Sequence, residues 1–139
     1  MTSDTLRSVT LRRTSKGRYI ATNNSGVELV FGDGDDLFGP VELLLCAIAG
    51  CTATDVDFLT SRRAEPDAFA VDVSADKMSD ETGNHLENIE VVFRVAFPAG
   101  AAGDAARDVL PQAIARSHDR LCTVSRTVEI GTPVRATAA

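Results

Sequence analysis

The chain has 139 residues, 44% hydrophobic and 24% charged, a balance that fits one soluble globular domain spanning 1–139 and excludes a disordered tail. That length buries a core without metal or disulfide staples. The formal net charge of −6 argues against nucleic acid or an anionic membrane as the main partner, since both require a basic footprint.

Met1 to about Arg7 is polar and reads as a loose end. The opening stretch MTSDTLRSVTLRR has no apolar h-region, and the longest apolar run, Leu43–Cys51, is much shorter than a membrane span. These features predict a cytoplasmic protein, in which stable structural disulfides are uncommon. Ser8–Arg13, Arg18–Thr22 and Val27–Phe31 alternate apolar and polar residues and predict three short strands. Lys16-Gly17 and Asn23–Gly26 supply the turns between them.

A Gly/Asp-rich loop, residues 32–39, leads to Pro40, which suits the first turn of a helix because its missing N–H has no partner there. The helix should run from Pro40 to about Ser61 and end near Arg62-Arg63, which complement its dipole. Its first half is apolar nearly all round, so it reads as a central buried helix enclosed by strands.

Phe69, Val71 and Val73 predict a fourth strand, and Ile89, Val91, Phe93, Val95 and Phe97 a fifth. Between them Asp76–Glu87 reads as a polar connection centred on Gly83-Asn84. Asp104 is the expected N-cap of a second helix, which Pro111 should kink or begin. After Cys122 the chain should turn through Thr123-Val124-Ser125 into a last strand, Thr127–Ile130, with a frayed tail from Thr132. The resulting β-β-β-α-β-β-α-β order is an α+β fold.

Three cysteines leave at least one free. Cys46 and Cys51 point about 140° apart on one helix and cannot pair without unwinding it. Cys46 reads as a small core residue. Cys51 sits among Ala47, Ala49, Gly50, Thr52 and Ala53, where other atoms can approach its sulfur. Whether Cys51 meets Cys122 is a question of fold, and spacing alone leaves reactive and structural roles both open.

The block Pro40-x-Glu42-Leu43-Leu44-x6-Cys51, followed by Cys122-Thr123-Val124-Ser125, resembles the OsmC/Ohr family of osmotically inducible and organic-hydroperoxide-resistance proteins. The family pairs a P-x-E-L or P-E-x-L helix entry with a cysteine eleven residues after the proline and a second cysteine in a C-x-V-S segment. Cys51-Thr52-Ala53-Thr54-Asp55-Val56 is similar to a divergent OsmC-like group. The resemblance covers nearly the whole chain and implies an intertwined homodimer with a thiol-dependent peroxidase site. In such a site the Cys51 thiolate attacks an organic hydroperoxide and Cys122 resolves the sulfenic acid as a disulfide. An external dithiol then restores the enzyme, and no metal or organic cofactor takes part.

The family site also holds an arginine oriented by a glutamate. The corresponding residues here are Arg18, in Thr14-Ser15-Lys16-Gly17-Arg18, and Glu42. Arg18 is one place off the family's turn position, and Val41 stands where the hydroperoxide-resistance branch has its glutamate. The other branch places its arginine in the third strand, where this chain has Val30 or a neighbour. Asp55, one turn beyond Cys51, would raise the thiol pKa unless an arginine (Arg18 or Arg126) or polar groups take it up. His85 and His118 have no metal spacing and read as surface residues, and the acidic loop at Asp33–Asp36 as solvated. The rival to a peroxidase is a binding or redox-sensing protein on the same scaffold, with a hydrophobic ligand held between Leu43–Ile48 and Ile89–Phe97.

Overall fold

Lys16-Gly17 and Asn23–Gly26 reverse the chain twice in the computed structural model, which describes residues 4–139. Gly17 and Gly26 supply the positive φ that these turns need (73° and 81°). The strands β1 (Val9–Ser15), β2 (Arg18–Asn23) and β3 (Glu28–Gly32) form an antiparallel sheet in that order, as the alternation predicts. Asn23 Oδ1 accepts from the N–H groups of Ser25 (2.9 Å) and Val27 (3.0 Å), which fixes the second turn. Within Met1–Arg7, residues 1–3 lie outside the described residues, and the Arg7 guanidinium donates to the carbonyls of Asp4 and Leu6.

The helix α1 (Pro40–Ser61) has the predicted bounds. Pro40 opens it, and Glu42 Oε1 accepts from the Gly39 N–H at 2.9 Å, which is the reciprocal half of a capping box. By length and composition α1 could cross a bilayer, a test that the core helix of a soluble protein also passes. Within the chain it buries one stripe, Ile48, Ala49, Thr52, Val56 and Thr60, rather than its whole circumference. Val41, Leu44 and Phe58 are exposed. Cys46 is exposed too, contrary to its reading as a core residue: it lies two residues from Ile48, about 160° round the helix. The chain divides into two compact units, one ending at Leu44 and the other beginning at Leu45, a boundary that falls inside α1.

In the second unit, β4 (Ala68–Asp80) and β5 (Gly83–Ala96) make a hairpin longer than predicted. The polar stretch Asp76–Glu87 is paired strand, and the turn is only Glu81-Thr82, closed by Asp80 Oδ1 accepting from the Thr82 N–H (2.8 Å) and hydroxyl (2.6 Å). Polar residues on both faces erase the period-2 signal there. At the register shift between Ser74 and Asp76, Asn88 has φ 54° and its amide donates to Asp76 at 2.8 Å. That bulge is followed by Ile89, Val91, Phe93 and Val95 on the half-buried face of β5.

The helix α2 (Ala101–Arg116) begins four residues before the predicted start. Gly100 is its N-cap residue, and Asp104 instead lies in the first turn, paired with Arg107 at 2.7 Å. Pro111 sits inside α2 without beginning or ending it. The helix continues as a π-helical turn, Ser117–Leu121. The predicted last strand is instead a helix, α3 (Thr123–Glu129). β-Branched Thr127, Val128 and Ile130 favour a strand locally, but the Cys122 sulfur caps the helix start and Thr127 Oγ1 donates to the Thr123 carbonyl at 2.7 Å. Gly131, at φ 65°, closes its far end.

Gly103 in α2 is buried against the Pro98 carbonyl, where a Cβ would overlap the backbone oxygen. Gly103→Ala should therefore destabilise the protein by about 2 kcal/mol despite alanine's better helix propensity, read as a lower urea midpoint with unchanged m-value.

Candidate functional site

Cys51 and Cys122, about seventy residues apart in sequence, come close enough in the fold for each thiol to act on the ionisation of the other. Cys51 stands on α1, and Cys122 stands between the π-helical turn and α3. Cys51 is half-buried, whereas Cys122 is only 2% exposed. The π turn sets the position of Cys122, because the Cys122 N–H donates to the Ser117 carbonyl at 2.8 Å.

Uncharged donors surround the pair. Thr52 Oγ1, buried on α1, donates to Cys122 Sγ at 3.4 Å, and the Ser125 N–H donates to the same sulfur at 3.4 Å. Ser125 Oγ lies 3.2 Å from Cys122 Sγ; the proton lies on sulfur when Cys122 is a thiol and on oxygen when it is a thiolate. Asp55 accepts from the buried Ser117 hydroxyl at 2.8 Å, the polar alternative of the two the sequence leaves open for it.

These environments push the two thiols apart. Burial raises the pKa of Cys51; the Val124 N–H opposes this, while the nearby Cys122 side chain and the charges of Cys122 and Asp55 raise it further. Burial also raises Cys122, but the Ser125 hydroxyl, Thr52, the Ser125 N–H and Cys51 together bring it below the ordinary value.

Arg18 and Glu42, the other two predicted site residues, both belong to the first unit. Arg18 donates to Asp36 at 2.6 Å, and that hydrogen bond holds the Asp36 carboxyl below its usual range. Asp36, in the acidic loop read as solvated, is thus paired. Glu42 is engaged at the start of α1 by the Gly39 N–H.

A cavity of about 300 Å³ lies beside the pair in the second unit. Its walls are mostly apolar, with Ile48 from α1, Ile89, Val91 and Phe93 from β5, and Ile114 from α2. Thr52 and Ser125, which hold the Cys122 sulfur, line it too, as do His118 and Glu129. The sequence reading misses Thr52, Ser125 and Ser117. The first two stand beside or within the cysteine motifs and were available as signals, whereas nothing local marks Ser117.

An α+β chain with one cysteine on its long helix and a second at a capped turn nearby is a thiol-bearing protein. The family model described as OsmC-like protein matches residues 32–137, and the chain belongs to that family. It is 32% identical over 126 residues to an uncharacterised protein of Mycobacterium tuberculosis, covering 89% of this chain and 90% of that one. Among solved structures, it resembles an OsmC-like protein of unknown function from Vibrio cholerae (TM-score 0.75, 10% identity, 90% of this chain and 94% of that one). It also resembles the organic hydroperoxide resistance protein of Bacillus subtilis (TM-score 0.52, 18% identity, 88% and 90%).

His118 ties the π turn to α3 through Nε2 and Glu129 Oε1 at 2.8 Å, and Nδ1 lies 3.0 Å from Asp119 Oδ1. The hydrogen bonds to Asp119 and Glu129, with the Glu129 charge, raise its pKa above 6.5. A raised folded-state pKa gives stability that is fully present below the unfolded value and lost as pH climbs through the folded one. Urea midpoints should thus show a loss on going from pH 6 toward alkaline pH that is absent in His118→Gln.

Proposed function

We propose that this protein is a cytoplasmic thiol-dependent peroxidase of organic hydroperoxides with a role in oxidative-stress defence. Cys51 takes up the terminal oxygen of the peroxide and becomes a sulfenic acid, releasing the alcohol. Cys122 then attacks the Cys51 sulfur, a disulfide forms and water leaves. An external dithiol reduces the disulfide by exchange. The observation that supports this reading most is the nearness of the two thiols, each acting on the ionisation of the other, with Cys51 half-buried and Cys122 enclosed. Membership of the OsmC family supports it independently. Exposed Val41, Leu44 and Phe58 on α1 favour the homodimer that the resemblance implies.

The apolar cavity favours a second reading, a hydrophobic-ligand-binding or redox-sensing protein, because its size and lining suit a small apolar molecule. One experiment separates the two. Reduced protein is mixed with cumene hydroperoxide and a dithiol, and peroxide loss and free thiols are followed. The peroxidase reading expects sustained turnover, a Cys51–Cys122 disulfide by peptide mass spectrometry, and no turnover in Cys51→Ser. Stoichiometric binding of an apolar probe without peroxide loss supports the second. The roles implied for Arg18 and Glu42 belong to the first reading: Arg18→Ala and Glu42→Gln should each slow turnover about tenfold or more. Unchanged rates would remove both from the chemistry.

A further inference from the structure

Leu59, Arg62 and Arg63 share one side of the end of α1 and the turn after it, where the Arg63 N–H still donates to the Thr60 carbonyl at 3.0 Å. Val109, Gln112, Ala113 and Arg116 recur at i, i+3, i+4 and i+7 and so share one face of α2. The two sides line a pocket of about 230 Å³. Leu59, Val109 and the buried Ala113 give it apolar patches, and the three arginines with Gln112 give it polar ones. None of these residues belongs to the thiol pair or lines the cavity beside it.

Three guanidinium groups around one hollow repel one another unless something answers their charge. Arg18, Arg94 and Arg107 each have a carboxylate partner. Among the described residues, the guanidinium groups of Arg62, Arg63 and Arg116 have none, and none of them donates to a carbonyl. Asp57 and Asp108 lie about 200° and 100° round their helices from Leu59 and Val109, and neither they nor Glu65 lines the pocket. The end of α1 accounts for little of the charge. Its dipole supplies about half a negative charge against three full positive ones, which leaves an excess of roughly two.

We propose that this pocket binds a small phosphate monoester. At neutral pH the phosphate of such an ester carries about −1.5 to −2 charges and presents three strong acceptor oxygens, which matches three guanidinium groups and their excess charge. Guanidinium forks bind phosphate oxygens in pairs, so arginine suits this ligand better than lysine does. A carboxylate brings one charge and leaves the rest of the excess unanswered.

Volume and lining set the rest of the ligand. The pocket is smaller than the roughly 300–1,000 Å³ typical of sites for drug-sized molecules, so the organic part is short. Leu59, Val109 and Ala113 suit its carbon atoms, and the Gln112 amide suits an ester oxygen or a hydroxyl. A nucleic acid is a poor match, because a chain with net charge −6 repels a long polyanion beyond the pocket. A lipid headgroup presents the same phosphoryl chemistry as a free ester, and the test separates the two sources. The proposal does not rest on the peroxidase reading.

In the test, the reduced, isotope-labelled full chain is titrated at low salt with phenyl phosphate and with inorganic phosphate, and the arginine side-chain N–H resonances are followed. The expected result is saturating shifts at Arg62, Arg63 and Arg116, with phenyl phosphate bound several-fold more tightly than inorganic phosphate. Arg62→Gln, Arg63→Gln and Arg116→Gln should each weaken binding about tenfold. Gln112→Glu keeps all three arginines but sets a carboxylate among them, and should abolish binding. These four side chains are exposed, so the variants should keep the parent's urea midpoint. Lowering the pH from about 7.5 to about 5 should weaken binding about tenfold, because the ester takes up its second proton near pH 6 while arginine keeps its charge. Shifts that do not saturate, equal shifts at Arg12 and Arg13 of β1, or parent-like affinity in Arg116→Gln and Gln112→Glu overturn the proposal. Sedimentation with phosphatidic acid vesicles but not phosphatidylcholine vesicles, without phenyl phosphate binding, also overturns it and assigns the arginines to a lipid headgroup.

Discussion

The Cys122 sulfur is the point on which the local structure around the thiol pair depends. Its own N–H closes the π-helical turn on the Ser117 carbonyl, and its side chain caps α3 by accepting the Ser125 N–H. The Thr52 hydroxyl donates to it from α1. One residue thus ends one helix, begins another and ties both to a third. The Ser117–Asp55 bond supports the arrangement from one turn further along α1. Losing the polar partners of such a buried sulfur costs more than any single bond is worth, because several donors are left unpaired at once.

The helix-entry motif shows that a spacing shared with a family does not by itself assign a role. Pro40 and Glu42 are both explained by the start of α1: proline loses no bond at the first helical position, and glutamate two residues later returns a bond to the Gly39 N–H. Arg18 likewise has a local partner, since Asp36 closes the loop after β3 onto β2. Both pairings are exposed or partly exposed, so each side chain can exchange its partner at small cost.

What the sequence makes legible follows where one physical signal dominates. Alternation finds β1 to β3 and the apolar half of β5, and a proline entry with a long apolar run finds α1 to the residue. The signal fails where local preference and tertiary contact disagree. Thr127, Val128 and Ile130 favour a strand by propensity, but capping by Cys122 and the tie between Glu129 and His118 make the segment helical. The outer half of the hairpin is polar on both faces and so has no period to read. Cys46 is apolar by type and lies on an apolar stretch, yet whether it faces core or solvent depends on which stripe of α1 the chain covers. Cys51 and Cys122 are visible as types, but the donors that differentiate them come from three separate elements.

That differentiation bears on why position 122 holds a cysteine at all. As an N-cap, serine, aspartate or asparagine serves better than a thiol, because oxygen accepts a stronger and shorter hydrogen bond from a backbone N–H. As packing, a fully enclosed small side chain can be alanine or serine without a void larger than a methyl group. Neither the cap nor the core requires sulfur, while the Thr52 hydroxyl and the Ser125 N–H both donate to it and can stabilise a thiolate there. Two thiolates close together repel, so ionising one thiol of the pair opposes ionising the other. A second sulfur kept near Cys51, at a position where neither the cap nor the core needs one, is wasteful for structure and suited to redox chemistry.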